Sequence, residues 1–218
     1  MAITDPAAFI LANTRFQAVP HAPEISLWLA DEITPIWRMT EEELGELGLP
    51  PPFWAFAWAG GQAVARWLLD NPAEVAGKTV LDFATGSGLV GIAAMKAGAA
   101  SVLAVDIDPH AVVATQLNAR ANDVTVESLC ADLLDGPPPA VEVVLAGDVF
   151  YSRALARRTL PFLRRCRDVG LSVLIGDPGR ATLPRSRLTQ VAAIDVPDFG
   201  SPTPRPAGVY RLRGPVLS

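Results

Sequence analysis

The chain has 218 residues, 50% of them hydrophobic, with a formal net charge of −5 and a pI near 5.0. That length suits one domain with a short extension and allows a sizeable core. The acidic balance argues against a nucleic-acid enzyme, which usually presents a basic face. No apolar run is long enough to span a bilayer, and the first residues, Met-Ala-Ile-Thr-Asp-Pro, lack the basic and apolar regions of a secretory signal.

In chain order, Asp5 followed by Pro6 reads as a helix start. Ile25, Leu27 and Leu29 alternate and predict a short strand after Pro23. Thr40 before Glu41, Glu42 and Glu43 predicts a capped helix with an acidic first turn, ended by Pro50-Pro51-Pro52. Residues 1–52 are therefore read as an N-terminal extension and 53–218 as the main domain. Residues 53–61 are dense in aromatics and loop-like, and a helix over 62–69 follows, closed by Asn71-Pro72. From Thr79 strands and helices alternate. Strands are expected at 80–84, 102–106, 124–129, 141–147 and 171–176, and helices at 89–97, 109–121 and 153–167. Candidate strands at 191–196 and 209–212, joined through Pro197 to Pro206, make an antiparallel edge hairpin. Such alternation with short connections implies an α/β fold: a seven-strand, Rossmann-like, doubly wound sheet covered on both faces. Arg153, Arg157, Arg158, Arg164, Arg165 and Arg167 read first as a solvated helix face and second as a docking surface.

The segment Val80-Leu81-Asp82-Phe83-Ala84-Thr85-Gly86-Ser87-Gly88-Leu89 carries the chemistry. A buried strand runs into a tight glycine turn that opens a helix, at the strand end where doubly wound sheets bind ligands. Asp106 ends the next strand twenty residues after Gly86, where its carboxylate can accept from both hydroxyls of a ribose. Asp108 is read as the cap of the helix opened by Pro109. Asp132, after the third strand, can accept from an adenine amine while Leu133 covers the ring. Asp82 can orient the loop and a ligand ammonium. Three acids around an adenosyl site suit a cationic sulfonium cofactor better than a pyrophosphate. The cysteines, Cys130 and Cys166, and the histidines, His21 and His110, match no metal pattern, so no metal is expected.

With these residues the sequence resembles the seven-strand class I methyltransferases over roughly residues 60–215. That resemblance implies S-adenosylmethionine as cofactor and S-adenosylhomocysteine as product. It assigns cofactor contact to Trp58, Asp82, Ala84, Gly86, Gly88, Asp106, Ile107, Asp132, Leu133 and Gly147. The chain departs from the family loop at Ala84, where the family has glycine; a methyl group is tolerable there if φ is negative.

At the end of the fourth strand, Gly147-Asp148-Val149-Phe150-Tyr151 resembles the Asp/Glu-x-x-Phe/Tyr motif of protein-lysine methyltransferases. Together with residues 53–62 and Ile175-Gly176-Asp177-Pro178-Gly179-Arg180, it is similar to the electron-transfer-flavoprotein β-subunit lysine methyltransferases, from about residue 20 to 213. The resemblance implies a protein acceptor, the flavoprotein β-subunit. It makes Asp148 and Tyr151 the catalytic pair and Trp54, Phe150 and Arg180 the acceptor contacts. Plainer readings put Phe150 in the core, make the tryptophans a lid, and make Asp177-Pro178-Gly179 a turn. Other expectations in view are a methyltransferase for a ribosomal protein or a small amine, an RNA methyltransferase, and a nucleotide binder without catalysis. Richness in Ala, Arg and Pro suggests a bacterial, cytoplasmic protein, with neither nucleic acid nor membrane as partner.

Overall fold

The computed structural model describes residues 3–31, 50–196 and 204–214, together with Thr34, Ile36, Met39 and Gly45. The helix α1 (Pro6–Asn13) starts as expected: the Asp5 carboxylate accepts from the Ala8 amide at 3.0 Å. Next comes a hairpin of β1 (Arg15–Val19) and β2 (Ala22–Leu29). Only β2 was expected, since in β1 just Val19 is buried and no alternation shows. The helix expected after Thr40 lies, Gly45 apart, outside the described residues.

Helix α2 spans Ala59–Asp70, three residues earlier than expected; Trp58 stands at its N-cap position with no side-chain cap, its carbonyl accepting from the Gln62 amide at 2.9 Å. Then follow β3 (Thr79–Phe83), α3 (Leu89–Lys96), β4 (Ser101–Asp106), α4 (Pro109–Ala121), β5 (Glu127–Cys130), β6 (Val143–Gly147), α5 (Arg153–Asp168), β7 (Ser172–Asp177), β8 (Leu188–Val196) and β9 (Arg205–Leu212). The third strand of the alternation, β5, is shorter than expected. Strand β9 begins inside the segment read as a connector, and Pro206 sits on it. The sheet order is β5-β4-β3-β6-β7-β9-β8, parallel except where β9 pairs antiparallel with β7 and β8. The order reverses beside β3, so the ends of β3, β4 and β6 border the crevice where such sheets bind ligands.

Period-two alternation divides the core. Val80, Val143, Leu145 and Leu174 face α2 and α3 on one side, joined by Ile25, Leu27 and Leu29 of the hairpin. Leu81, Phe83, Val144, Ala146 and Ile175 face Phe162, Leu163 and Cys166 of α5 on the other. Asn118 on α4 and Asn122 at its C-cap brace this arrangement. Asn118 accepts from the Trp28 amide at 2.7 Å and donates to the Ser87 carbonyl at 2.8 Å. Asn122, one turn later, bonds both backbone groups of Ser26. The hairpin is thereby fixed to the glycine turn, a link no local pattern announced. Within α5, Arg158 pairs with Asp132 and Asp135, and Arg165 donates to the carbonyls of Leu134 and Gly136. That face is thus tied in part to the connection before β6. Among the described residues no helix is long and apolar enough to cross a membrane.

Candidate active site

One cavity of about 630 Å³ opens at the ends of β3, β4 and β6. Its first end is built from local backbone. The turn after β3 reverses through Gly86 at φ 56° and Gly88 at φ 84°, and Gly88 starts α3. Asp82 lies beneath it, 1% exposed, accepting from Thr85 Oγ1 at 2.5 Å and the Gly91 amide at 2.8 Å. Burial pushes its carboxyl up to about 6, against those two hydrogen bonds. Asp106 accepts from the Gly86 amide at 2.9 Å and the Asp108 amide at 3.0 Å, and burial raises its pKa as well. Asp108 caps α4 through the His110 amide, as expected.

Most of the expected cofactor residues line this cavity: Trp58, Asp82, Ala84, Gly86, Asp106, Ile107, Asp132, Leu133 and Gly147. Gly88 does not. It turns behind the loop against Thr115, whose Cγ2 would lie 3.0 Å from an added Cβ, so its part is to let the helix start close to α4. Ala84 overturns the condition set for it, because its φ is +56°, in the left-handed region. Asp132 is more engaged than expected: Oδ1 accepts from the Leu134 amide and Oδ2 from Arg158. The Leu134 amide, then Arg158, hold its pKa low.

The second end is built across long sequence distances. Asp148 follows β6 and is 8% exposed. Its Oδ2 accepts from the Gly61 amide at 2.8 Å, in the first turn of α2, and its Oδ1 accepts from Arg180 Nη1 at 2.5 Å. Burial, the largest influence, raises its pKa while Arg180 and the Gly61 amide oppose the rise. Arg180 is therefore not the exposed cation expected beside the cleft. It lines the cavity, but as the partner of Asp148 and, at 3.3 Å, of the fully buried Asp177. Phe150 follows its plainer reading and not the acceptor contact: it is 0% exposed, packs in the core with α5 and does not line the cavity. The ring that does is Tyr151, half-exposed, 5.4 Å from the ring of Phe53. Burial, with the charge of Asp106, raises its pKa. Trp54 lines the wall by Gly86, where its Cα would lie 3.9 Å from a Cβ there. It packs with Ile10, Ala30 and Ala111, not at the Asp148 end.

Three glycines make the second end fit, and sequence reasoning gave them no role in packing. A Cβ on Gly176 would land on the Gly60 carbonyl. One on Gly147 would come within 2.9 Å of the Gly61 Cα, and one on Gly60 within 2.6 Å of Asp148 Oδ2. The paired glycines Gly60-Gly61 opposite a strand ending in Gly147 were the available signal.

Residues 66–148 match the model of the ribosomal protein L11 methyltransferase family. In the fold, the chain is similar to a ribosomal protein L11 methylase from Lactobacillus delbrueckii subsp. bulgaricus (TM-score 0.51, 23% identity, covering 71% of this chain and 79% of that one). It is also similar to magnesium protoporphyrin IX methyltransferase from Synechocystis (TM-score 0.53, 16%, covering 70% and 78%). Sequence similarity is greater to the electron transfer flavoprotein beta subunit lysine methyltransferases. The chain is 40% identical to that of Danio rerio over 197 residues, 87% of this chain and 75% of that one. It is 43% identical to that of Xenopus laevis over 180 residues, covering 82% and 72%. Further relatives of this name come from rat, mouse, human and worm. All six are animal proteins, which overturns the bacterial, cytoplasmic assignment drawn from composition. With such identities over most of both chains, the protein belongs to the electron transfer flavoprotein beta subunit lysine methyltransferase family.

Proposed function

We propose that this chain transfers a methyl group from S-adenosylmethionine to a lysine side chain on the β-subunit of an electron transfer flavoprotein, releasing S-adenosylhomocysteine. The observation that carries the reading is that one cavity is walled at one end by Gly86 and Asp106 and at the other by Asp148 and Tyr151. The acceptor's identity rests on the names of the relatives.

The donor set fits this cofactor. A carboxylate offers about four acceptor sites, and backbone amides take two of those of Asp106, leaving the others for a ribose diol. Ile107 and Leu133 supply apolar cover for a base, and Asp82 and Asp132 place negative charge beside a cationic ligand. Trp58, Ala84 and Gly147 complete the contact surface, with Gly88 shaping the turn. When bound, the cofactor supplies an electrophilic methyl group on a sulfonium.

The acceptor must attack as a free amine, because an ammonium of pKa about 10.4 has no lone pair. Asp148 holds the ammonium while its proton passes to solvent, and then orients the free amine toward the methyl group. Tyr151 and Phe53 wall the approach and stabilise cationic character through their ring faces. Trp54 backs the Gly86 wall, not the acceptor approach. Most of the acceleration comes from alignment of the two reacting groups.

Incubating the protein with labelled cofactor and purified flavoprotein, followed by mass spectrometry of the β-subunit, tests the reading. Methyl groups on a β-subunit lysine are expected. Label on another protein of a cell extract, with none on the β-subunit, would reject this acceptor and leave methyl transfer standing.

A further inference from the structure

Asp148 sits at φ +59°, a conformation a non-glycine residue keeps only when its surroundings over-determine it. Those surroundings form a relay. The Asp148 amide donates to the Gly176 carbonyl at 2.9 Å. Its two carboxylate oxygens take Gly61 of α2 and Arg180 of the loop after β7. Arg180 is itself seated. Asp177 Oδ2 receives the same Nη1, and Asp177 Oδ1 accepts the amides of Gly179 and Arg180, each at 2.7 Å. Thr182, two residues on, closes the loop onto the Phe150 carbonyl. The charged groups facing Asp148 are thus Arg180 and Asp177, while α2 presents only backbone amides.

A carboxylate this buried, without a counter-ion, takes up a proton and turns to whichever acceptor is near. An acid in that state donates to the amine's lone pair, the pair that must attack the methyl group. We propose that Arg180 is a positioning residue for methyl transfer: held by Asp177, its guanidinium fixes the Asp148 carboxylate against the Gly61 amide, so the acceptor nitrogen meets an acid already in place. The proposal rests on the reading that Asp148 faces the acceptor. It replaces the role of Arg180 as a direct contact to the acceptor protein.

The sign is determined. Removing a neighbouring cation disfavours the anion, so the Asp148 pKa must rise. Opposite charges at this range shift a carboxyl by about 1–3 units. Carbon-13 NMR of the aspartate carboxyls in the cofactor-free protein reads this directly, with Asp148→Asn to assign the resonance. In Arg180→Met the Asp148 midpoint should move up by about 1–3 pH units, and Arg180→Lys should restore most of the shift. Arg180→Gln serves should the Met variant fold poorly. The acid limb of the single-turnover rate should move up with the carboxyl. An unmoved Asp148 midpoint in the charge-removing variant, or a moved midpoint with an unmoved limb, overturns the proposal. If the wild-type protein leaves the β-subunit unmethylated, the functional reading fails on its own, and the titration still decides whether Arg180 sets the state of Asp148.

Discussion

Two carboxylates face one cavity from the strands on either side of β3, and they are held in opposite ways. Asp106, on β4, is gripped by backbone amides within twenty residues of it, and its environment follows from the turn that precedes it. Asp148, after β6, is gripped by an amide 87 residues upstream and a guanidinium 32 residues downstream. The Asp106 end is a local structure to which a ligand is added. The Asp148 end exists only once α2, β6 and the loop after β7 have met. The difference implies that substitutions at the first should weaken cofactor binding, while those at the second should act on folding and turnover.

The largest effect is expected where the second end closes. In Gly176→Ala the new Cβ falls on the Gly60 carbonyl, a backbone atom in the first turn of α2 that cannot swing aside. Overpacking costs about 1–3 kcal/mol and occasionally more; a backbone collision belongs at or beyond the top of that range. A lower melting temperature and loss of turnover should follow. Gly61→Ala is the control. Its Cβ would meet nothing nearer than Val90 Cγ2 at 3.8 Å, and alanine is favoured over glycine in a helix by about 0.5–1 kcal/mol. Equal melting of the two variants would show that the close approach of α2 to β7 does not matter.

The carboxylates themselves test the comparison next. Asp106→Ala removes a charged acceptor, so affinity for S-adenosylmethionine should fall by about 1.5–3 kcal/mol, measured by calorimetry. Asp148→Asn should leave that affinity nearly intact and lower single-turnover rate at least about tenfold. It should also lower the melting temperature, since the new amide nitrogen must face either the Gly61 N–H or Arg180, donor against donor. A pure loss of cofactor affinity in Asp148→Asn would erase the distinction between the two ends.

The same contrast explains what the sequence disclosed. The strand-turn-helix around Gly86, the spacing to Asp106 and the cap at Asp108 are short-range patterns, and each is legible in the sequence. So was the alternation of β3 to β7, because both faces of that sheet are covered by apolar elements. The pairing of Arg180 with Asp148 and Asp177, the contact of Gly60 with Gly176, and the ties of Asn118 and Asn122 to the hairpin were not. Each joins segments far apart in the chain, and nothing local marks a charged side chain as already partnered. Phe150 shows the reverse error. The motif placed it beside the acceptor, but after β6 the side chain falls on the core face and its neighbour Tyr151 takes the cavity.

The smallest effect tests the local end on its own terms. Ala84 holds φ +56°, and a Cβ in the left-handed region costs roughly 1–2 kcal/mol. Glycine removes that strain but gains freedom in the unfolded chain, worth about 0.4–1 kcal/mol in the other direction. The side chain is exposed, so no core packing is lost. Ala84→Gly should therefore stabilise the free protein by roughly 0–1.6 kcal/mol, a rise of at most about 6 °C for a chain this long. A lower melting temperature would mean that the methyl group makes a packing contact worth more than the strain. Cofactor affinity separates the remaining possibilities. If Ala84 only shapes the turn, affinity holds or improves as the loop relaxes. If its methyl touches the cofactor, affinity falls while the free protein still melts higher, and Ala84 is then a contact that the strain of the turn is tolerated to keep.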